Sequence, residues 1–260
     1  VSESDTGTRL IHAKFDSGLA TITLDRPPLN VLTTEMMRGL ATALRAAAAD
    51  PSVRVVRLDA AGKAFSAGVD VGEHLGDLLP AMMSALEELF VSFERMPQPV
   101  VAVVSGAALG GGLEVVLGCD LVVASDKATF GQPEIKLGVF APPATVLLPR
   151  RIGAGRATGW LLTGKIVDAG EALRVGLVDA VFPADEFDAA ATAWVEKLLA
   201  LSGAALRRAK QALREASELG VRDAHRRVHD IYMNDLMATE DAHEGLRAFV
   251  EKRPAVWKHR

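Results

Sequence analysis

The sequence predicts an α/β protein on three observations. Apolar runs of strand length alternate with segments of helical period, glycine-bearing loops join them, and the last third of the chain turns mostly helical. With 260 residues and 49% hydrophobic content, the chain can bury a large core without disulfide or metal staples.

The first two strands read as a hairpin. Leu10 to Phe15 alternates apolar and polar side chains, Asp16-Ser17-Gly18 makes the turn, and Leu19 to Leu24 alternates again. Asp25-Arg26-Pro27-Pro28 then ends the sheet edge. Thr33 caps a helix whose Met36, Met37, Leu40, Ala43, Leu44 and Ala47 recur on one face until Asp50-Pro51 stops it. Val53 to Leu58 is a buried strand that feeds the loop at Ala60-Ala61-Gly62. A second helix spans Pro80 to Met96, and Pro97 and Pro99 break it. Val100 to Val104 is the next strand, and a glycine-rich turn leads into a helix over Leu113 to Leu117. Leu121 to Ala124 is a further short strand, and helix dominates from Gly153 onward. Charges on the helix faces of Leu198 to Phe249 divide the chain into a core over 1–197 and a helical region over 198–260. No low-complexity tract and no repeat of fixed period is present.

Charge narrows the partners. Lys and Arg total 29 against 33 Asp and Glu, a formal net charge of −4, which leaves no global footprint for nucleic acid or an anionic membrane. The single cysteine, Cys119, can form no intramolecular disulfide, which favours a reducing, cytoplasmic setting. The longest apolar stretch, Pro99 to Leu109, is too short to span a bilayer, and the polar Val1 to Arg9 lacks the order of a signal peptide, so neither insertion nor secretion is expected. No His pair has metal-ligand spacing, and no metal is expected.

Three glycine-bearing loops carry the chemistry: Phe65-Ser66-Ala67-Gly68-Val69-Asp70, Leu109-Gly110-Gly111-Gly112-Leu113-Glu114, and Phe130-Gly131-Gln132-Pro133-Glu134-Ile135. Amides at such turns or helix starts lack internal partners and can donate to an oxyanion. The glycine spacing does not make a dinucleotide fingerprint, and a purely structural tight turn is equally consistent with it. Glu114 sits in an apolar segment. It is either a surface carboxylate on a short helix or a buried one whose raised pKa suits proton transfer. Glu134 either caps a helix, pairs with Lys136, or completes an acid/base pair with Glu114. His74 reads as a capping or surface histidine that could titrate near neutrality.

Taken in order, Ala107 to Glu114, Gly118-Cys119-Asp120 and Phe130 to Gly138 resemble the signature of the crotonase (enoyl-CoA hydratase/isomerase) superfamily. Asp25-Arg26-Pro27, Phe65-Ser66-Ala67-Gly68, Leu162-Thr163-Gly164, Gly176-Leu177-Val178 and Phe249 to Arg253 extend the resemblance over essentially the whole chain. It implies a spiral core of ββα units with a C-terminal helical region that assembles the protein as a homotrimer or homohexamer. It also implies that the amides of Ala67 and Gly111 hold a thioester oxygen, and that Glu114 and Glu134 are the acid/base pair of a hydratase. Coenzyme A would be carried by the substrate, with no separate cofactor. Its contacts would be Pro28, Leu29, Ala64, Ala67, Gly68, Val69 and Asp70, with Lys252 as a cation for a phosphate. Retention of both glutamates favours hydration; isomerase, hydrolase or decarboxylase chemistry on the same scaffold is the alternative. RNA binding, which some relatives perform through a lysine-rich helix, is not expected, because the first helix offers only Arg38 and Arg45.

One segment departs from the common hydratases. Where they carry glycines after Gly138, this chain reads Val139-Phe140-Ala141-Pro142-Pro143-Ala144, expected as a stiff loop walling a compact acyl pocket. In this segment and in Gly68 to His74 the chain is most similar to cyclohexa-1,5-diene-1-carbonyl-CoA hydratases.

Overall fold

The computed structural model describes residues 10–260, so the polar segment Val1 to Arg9 lies outside the described residues. A hairpin of β1 (Ile11–Asp16) and β2 (Leu19–Leu24) opens the chain, followed by α1 (Thr34–Ala49). Thr33 caps α1 by accepting from the Met36 amide at 3.2 Å, and all six apolar positions expected on one face are buried.

Three turns of one pattern follow. Each contributes a longer strand to one sheet, a short strand to a second sheet, and then a helix: β3 (Val55–Ala60), β4 (Ala64–Ser66) and α2 (Leu79–Glu94); β5 (Val100–Val104), β6 (Ala107–Leu109) and α3 (Gly111–Gly118); β7 (Leu121–Ser125), β8 (Thr129–Gly131) and α4 (Pro142–Ile152). Short 3-10 turns precede α2, at Val71–His74 and Gly76–Leu78, and α4, at Pro133–Leu137. The strands β3, β5 and β7 begin at 55, 100 and 121, so the structural repeat has no fixed sequence period. The remainder comprises α5 (Ala154–Thr163), β9 (Ile166–Asp168), α6 (Ala169–Arg174), β10 (Ala180–Phe182), α7 (Phe187–Leu199), α8 (Gly203–Ser217), α9 (Val221–Asp230), a π-helical turn at Ile231–Leu236, and α10 (Glu240–Val250).

The six-stranded sheet runs β1-β2-β3-β5-β7-β10, antiparallel at the hairpin and parallel elsewhere. The four-stranded sheet runs β4-β6-β8-β9, with only β9 antiparallel. Both faces of the larger sheet are covered, which is why its central strands read as unbroken apolar runs. In β5, Val100, Ala102 and Val104 join the main core with α1, α2 and α3, whereas Val101 and Val103 pack with Phe187, Ala191 and Val195 of α7. Each such valine contributes about 1.5–3 kcal/mol by leaving water.

The C-terminal helices are fastened to this body. Lys210 of α8 is buried and donates to the Gln98 carbonyl at 2.6 Å and to Asp120 Oδ2 at 2.5 Å, and Arg214 donates to the carbonyls of Phe93 and Met96, both at 2.9 Å. Asp241, also buried, accepts from Ser202 Oγ and from the amides of Lys258 and His259, so the chain end folds back on the start of α8. Among the described residues, no single helix is long and apolar enough to cross a membrane.

The proline pair is placed differently from expectation. Pro142 and Pro143 do not lie in a loop; they are the first two residues of α4, where a missing N–H costs nothing and φ near −65° already suits the helix.

Candidate active site

The loop after β4 is held like a strand. Leu32 donates to the Gly68 carbonyl at 2.8 Å and Asp70 donates to the Leu32 carbonyl at 2.9 Å, bracketing a parallel bridge between Leu32 and Val69. Asn30, almost fully buried, fixes the partner segment by donating to the carbonyls of Ala61 and Ala64, both at 2.8 Å, and accepting from the Arg26 amide at 2.7 Å. Gly68 adopts φ +114°, a conformation closed to other residues without strain.

This arrangement moves one expected role by two residues. The Ala67 amide donates to the Leu29 carbonyl at 3.0 Å and is therefore engaged, whereas the Val69 amide meets no acceptor among the described residues. Val69 also faces Gly111, since a Cβ on Gly111 would stand 3.2 Å from the Val69 nitrogen and 2.5 Å from its Cγ2. Gly111 is the first residue of α3, where helix geometry leaves the amide without an internal partner. The free donors that converge are thus Val69 and Gly111, not Ala67 and Gly111. Sequence reading had placed Val69 only among the coenzyme A contacts.

Glu114 lies one turn into α3 and is 2% exposed, which removes the surface reading. Its Oε1 accepts from the Ala144 amide at 3.0 Å. Burial pushes its pKa up to about 8, the Ala144 hydrogen bond opposes that rise, and the nearby Glu134 carboxylate adds to it.

Glu134 stands in the 3-10 turn before α4, beside the first turn of α3: a Cβ on Gly110 would come within 2.8 Å of its Oε1. Burial raises its pKa too, opposed by a backbone hydrogen bond and, less, by the nearby His74. With its amide nitrogen turned towards the carboxylate, the buried Gln132 donates to both oxygens, at 2.9 and 3.0 Å. No ion pair joins Glu134 to Lys136 among the described residues, and the aliphatic part of Lys136 packs beneath Gly164 instead. His74 Nδ1 donates to the Asp70 carbonyl at 2.9 Å, so this histidine caps its own turn while facing Glu134. Gln132 and Ala144 were not singled out from sequence; an amide side chain or a backbone N–H carries no compositional signal of its target.

The residues expected to line coenzyme A divide into three groups. Pro28, Leu29, Ala67, Gly68, Val69 and Asp70 are brought together by the 29–32 segment, with Asp70 capping the following turn through Gly72 and lying 3.8 Å from Arg26. Ala64 is buried at 3% exposure, and its carbonyl accepts from Asn30. Lys252 stands apart, beyond the end of α10, where its amide bonds the Phe249 carbonyl. A cavity of about 1380 Å³ lies between α2, α4 and α8, walled by Met83, Leu86, Phe90, Leu117, Pro142 and Leu147; the two carboxylates are not in its wall.

Two desolvated carboxyl groups beside two free amides equip an acid–base enzyme that acts on a carbonyl compound. The family model described as enoyl-CoA hydratase/isomerase matches residues 14–260. The chain is 40% identical over 246 residues to a cyclohexa-1,5-dienecarbonyl-CoA hydratase from Thauera aromatica, covering 94% of this chain and 95% of that one. It is 40% identical over 258 residues to a probable enoyl-CoA hydratase from Rhizobium meliloti, covering 97% and 98%. An enoyl-CoA hydratase structure from Geobacillus kaustophilus superposes with a TM-score of 0.94 at 31% identity, covering all of both chains. The chain belongs to the enoyl-CoA hydratase/isomerase family, has the crotonase fold and is an enzyme of the lyase type.

Proposed function

We propose that the protein adds water across the α,β double bond of an acyl-CoA thioester, with Glu114 and Glu134 as its acid/base pair and the amides of Val69 and Gly111 around the thioester oxygen. The observation that supports this best is the convergence of two carboxyl groups of raised pKa, Glu114 buried and Glu134 half-buried, on a pair of amides without acceptors. Near neutral pH the resting pair holds a proton on Glu114. An ionised carboxylate takes a proton from water as the water oxygen bonds to the β-carbon. The π electrons move through the α-carbon into the carbonyl, giving an enolate that the two amides stabilise. The α-carbon then takes a proton from the protonated carboxyl, so the elements of one water are added with no redox change. Coenzyme A enters with the substrate and no further cofactor takes part.

The test is product identification with crotonyl-CoA and a cyclic dienoyl-CoA, using wild type, Glu114→Gln and Glu134→Gln. A 3-hydroxyacyl product that disappears with either substitution supports the reading. An isomerised or hydrolysed product would replace it with the alternative chemistry.

For the acyl group we favour a cyclic dienoyl-CoA, supported by the Thauera relative and by the two prolines that open α4 immediately before Ala144, the donor to Glu114. A planar ring loses little conformational freedom on binding. The kcat/KM for cyclohexa-1,5-diene-1-carbonyl-CoA is expected to exceed that for 2-decenoyl-CoA about tenfold, or about 1.4 kcal/mol. If 2-decenoyl-CoA is the better substrate, the preference is wrong. The coenzyme A portion is assigned to Pro28, Leu29 and Ala67 to Asp70, with Lys252 as the phosphate cation.

A further inference from the structure

The start of α4 has a donor pattern that ordinary helices lack. A helix offers the N–H groups of its first residues without internal acceptors, and its dipole adds positive potential there. In α4 the first and second residues are Pro142 and Pro143, which have no N–H, and Thr145 already donates to the Ala141 carbonyl at 3.0 Å. Ala144 is left as the one N–H among the first three residues of α4, and it points at Glu114 Oε1 at 3.0 Å. The Glu114 carboxyl is buried, and no side-chain donor to it is found among the described residues.

We infer that Ala144 is a positioning residue for Glu114: the proline pair strips the start of α4 to a single amide, and that amide anchors one carboxyl oxygen so that the other is the one presented to the substrate and water. The inference rests on the hydratase reading of Glu114. The arrangement acts on geometry and on charge together. Anchoring Oε1 fixes the rotation of the carboxyl group, because a second free N–H at 142 or 143 would offer a competing orientation. The same hydrogen bond favours the ionised form against the cost of burial. The titratable groups that face Glu114 are few: Glu134 from the 133–137 turn, with His74 beyond it acting on Glu134.

The decisive experiment deletes one N–H. Ala144→Pro does so at a helix position that tolerates proline, since the lost N–H had no partner within the helix. Should that variant fail to fold, the same deletion is made by placing the α-hydroxy analogue of alanine at 144, which turns the amide into an ester of nearly equal shape. Each variant is assayed on crotonyl-CoA across pH 5 to 10. The expected result is a fall in kcat of about ten- to a hundredfold with KM within about threefold, as for an interaction realised mainly in the transition state. The limb of the pH profile assigned to Glu114 should also move upward, because a donor that favours the ionised form is gone. Pro143→Ala, which adds an N–H while keeping Ala144, should lower kcat more mildly and not move that limb upward. A kcat and pH profile matching wild type in the ester variant overturns the inference. The two readings fail separately: wild-type turnover by Glu114→Gln sinks the acid/base assignment, whereas a slow Glu114→Gln with an unaltered ester variant sinks only the role of Ala144.

Discussion

Glu114 sets the strongest expectations for single residues. Both Glu114→Gln and Glu134→Gln should lower kcat by about two to four decades while acyl-CoA binding persists, since each removes a proton carrier and leaves the loops intact. Isothermal titration with a non-reactive acyl-CoA, run beside the kinetics, separates the two effects. Stability should respond in the opposite direction. The folded-state pKa of Glu114, about 8, is raised above its ordinary value of 4.5. Its contribution is therefore fully present below about pH 4.5 and is lost as pH climbs through 8, where folding must hold a buried charge. Glu114→Gln is freed of that loss, so its stability advantage over wild type should grow between pH 5 and 8 to about 2–4 kcal/mol and then level off. Denaturant midpoints that run parallel across that range would contradict the buried, protonated carboxyl. Gln132→Leu tests the other half of the pair. Removing the donor to both Glu134 oxygens should raise the Glu134 pKa and lower kcat about tenfold or more, read from the same pH profiles.

At the level of elements, the close approach of β4, α3 and the loop after β4 depends on glycines that permit it. A Cβ at Gly112 would stand 2.4 Å from the Ser66 carbonyl oxygen, a backbone atom that cannot swing aside. Gly138, by contrast, has φ +79° and open space around it. Gly112→Ala should thus cost about 2–4 kcal/mol of stability and displace the loop donors, whereas Gly138→Ala should cost about 1 kcal/mol of backbone strain. Urea titrations of the two variants give the order directly; equal losses would show that the contact relaxes. The elements legible in the sequence were those with a strong period or a clear stop: the first hairpin, α1 between Thr33 and Asp50, and β5 matched expectation residue by residue or nearly so. The strands β4, β6 and β8 were not legible, because three residues are too few for a period and their pairing is decided by neighbours far along the chain. The two glutamates were singled out by the resemblance to the family's motifs, because spacing alone left a surface Glu114 and a structurally paired Glu134 equally open. The shift from Ala67 to Val69 was not legible, because it turns on which amide the Leu29 carbonyl claims.

For the whole molecule, the C-terminal helices present both a buried and an unpartnered side. Phe249 and Val250 at the end of α10 are 86% and 79% exposed, and Leu213 of α8 is 74% exposed. Such side chains support the proposal that 198–260 is an oligomerisation region and that the protein assembles as a homotrimer or homohexamer. Sedimentation in dilute buffer should show three or six copies of the 27.5 kDa chain, and a stable monomer would reject it. The fastening of that region is a separate matter. Asp241→Asn weakens a buried carboxylate that holds the chain end to the start of α8 and should lower stability by about 1–3 kcal/mol without changing the pH profile of turnover.

The same fastening turns the one cysteine into a clock. Cys119 ends α3 with its thiol donating to the Val115 carbonyl, and burial beside Asp120 pushes its pKa far up, so little thiolate exists to react in the closed form. Asp120 is in turn held by Lys210 of α8. A thiol reagent at modest excess should therefore label the folded protein slowly, and faster once denaturant loosens the Val115 contact and the Asp120–Lys210 junction. The labelling rate across a denaturant series then reads how often the surroundings of Cys119 open, with no engineered probe required.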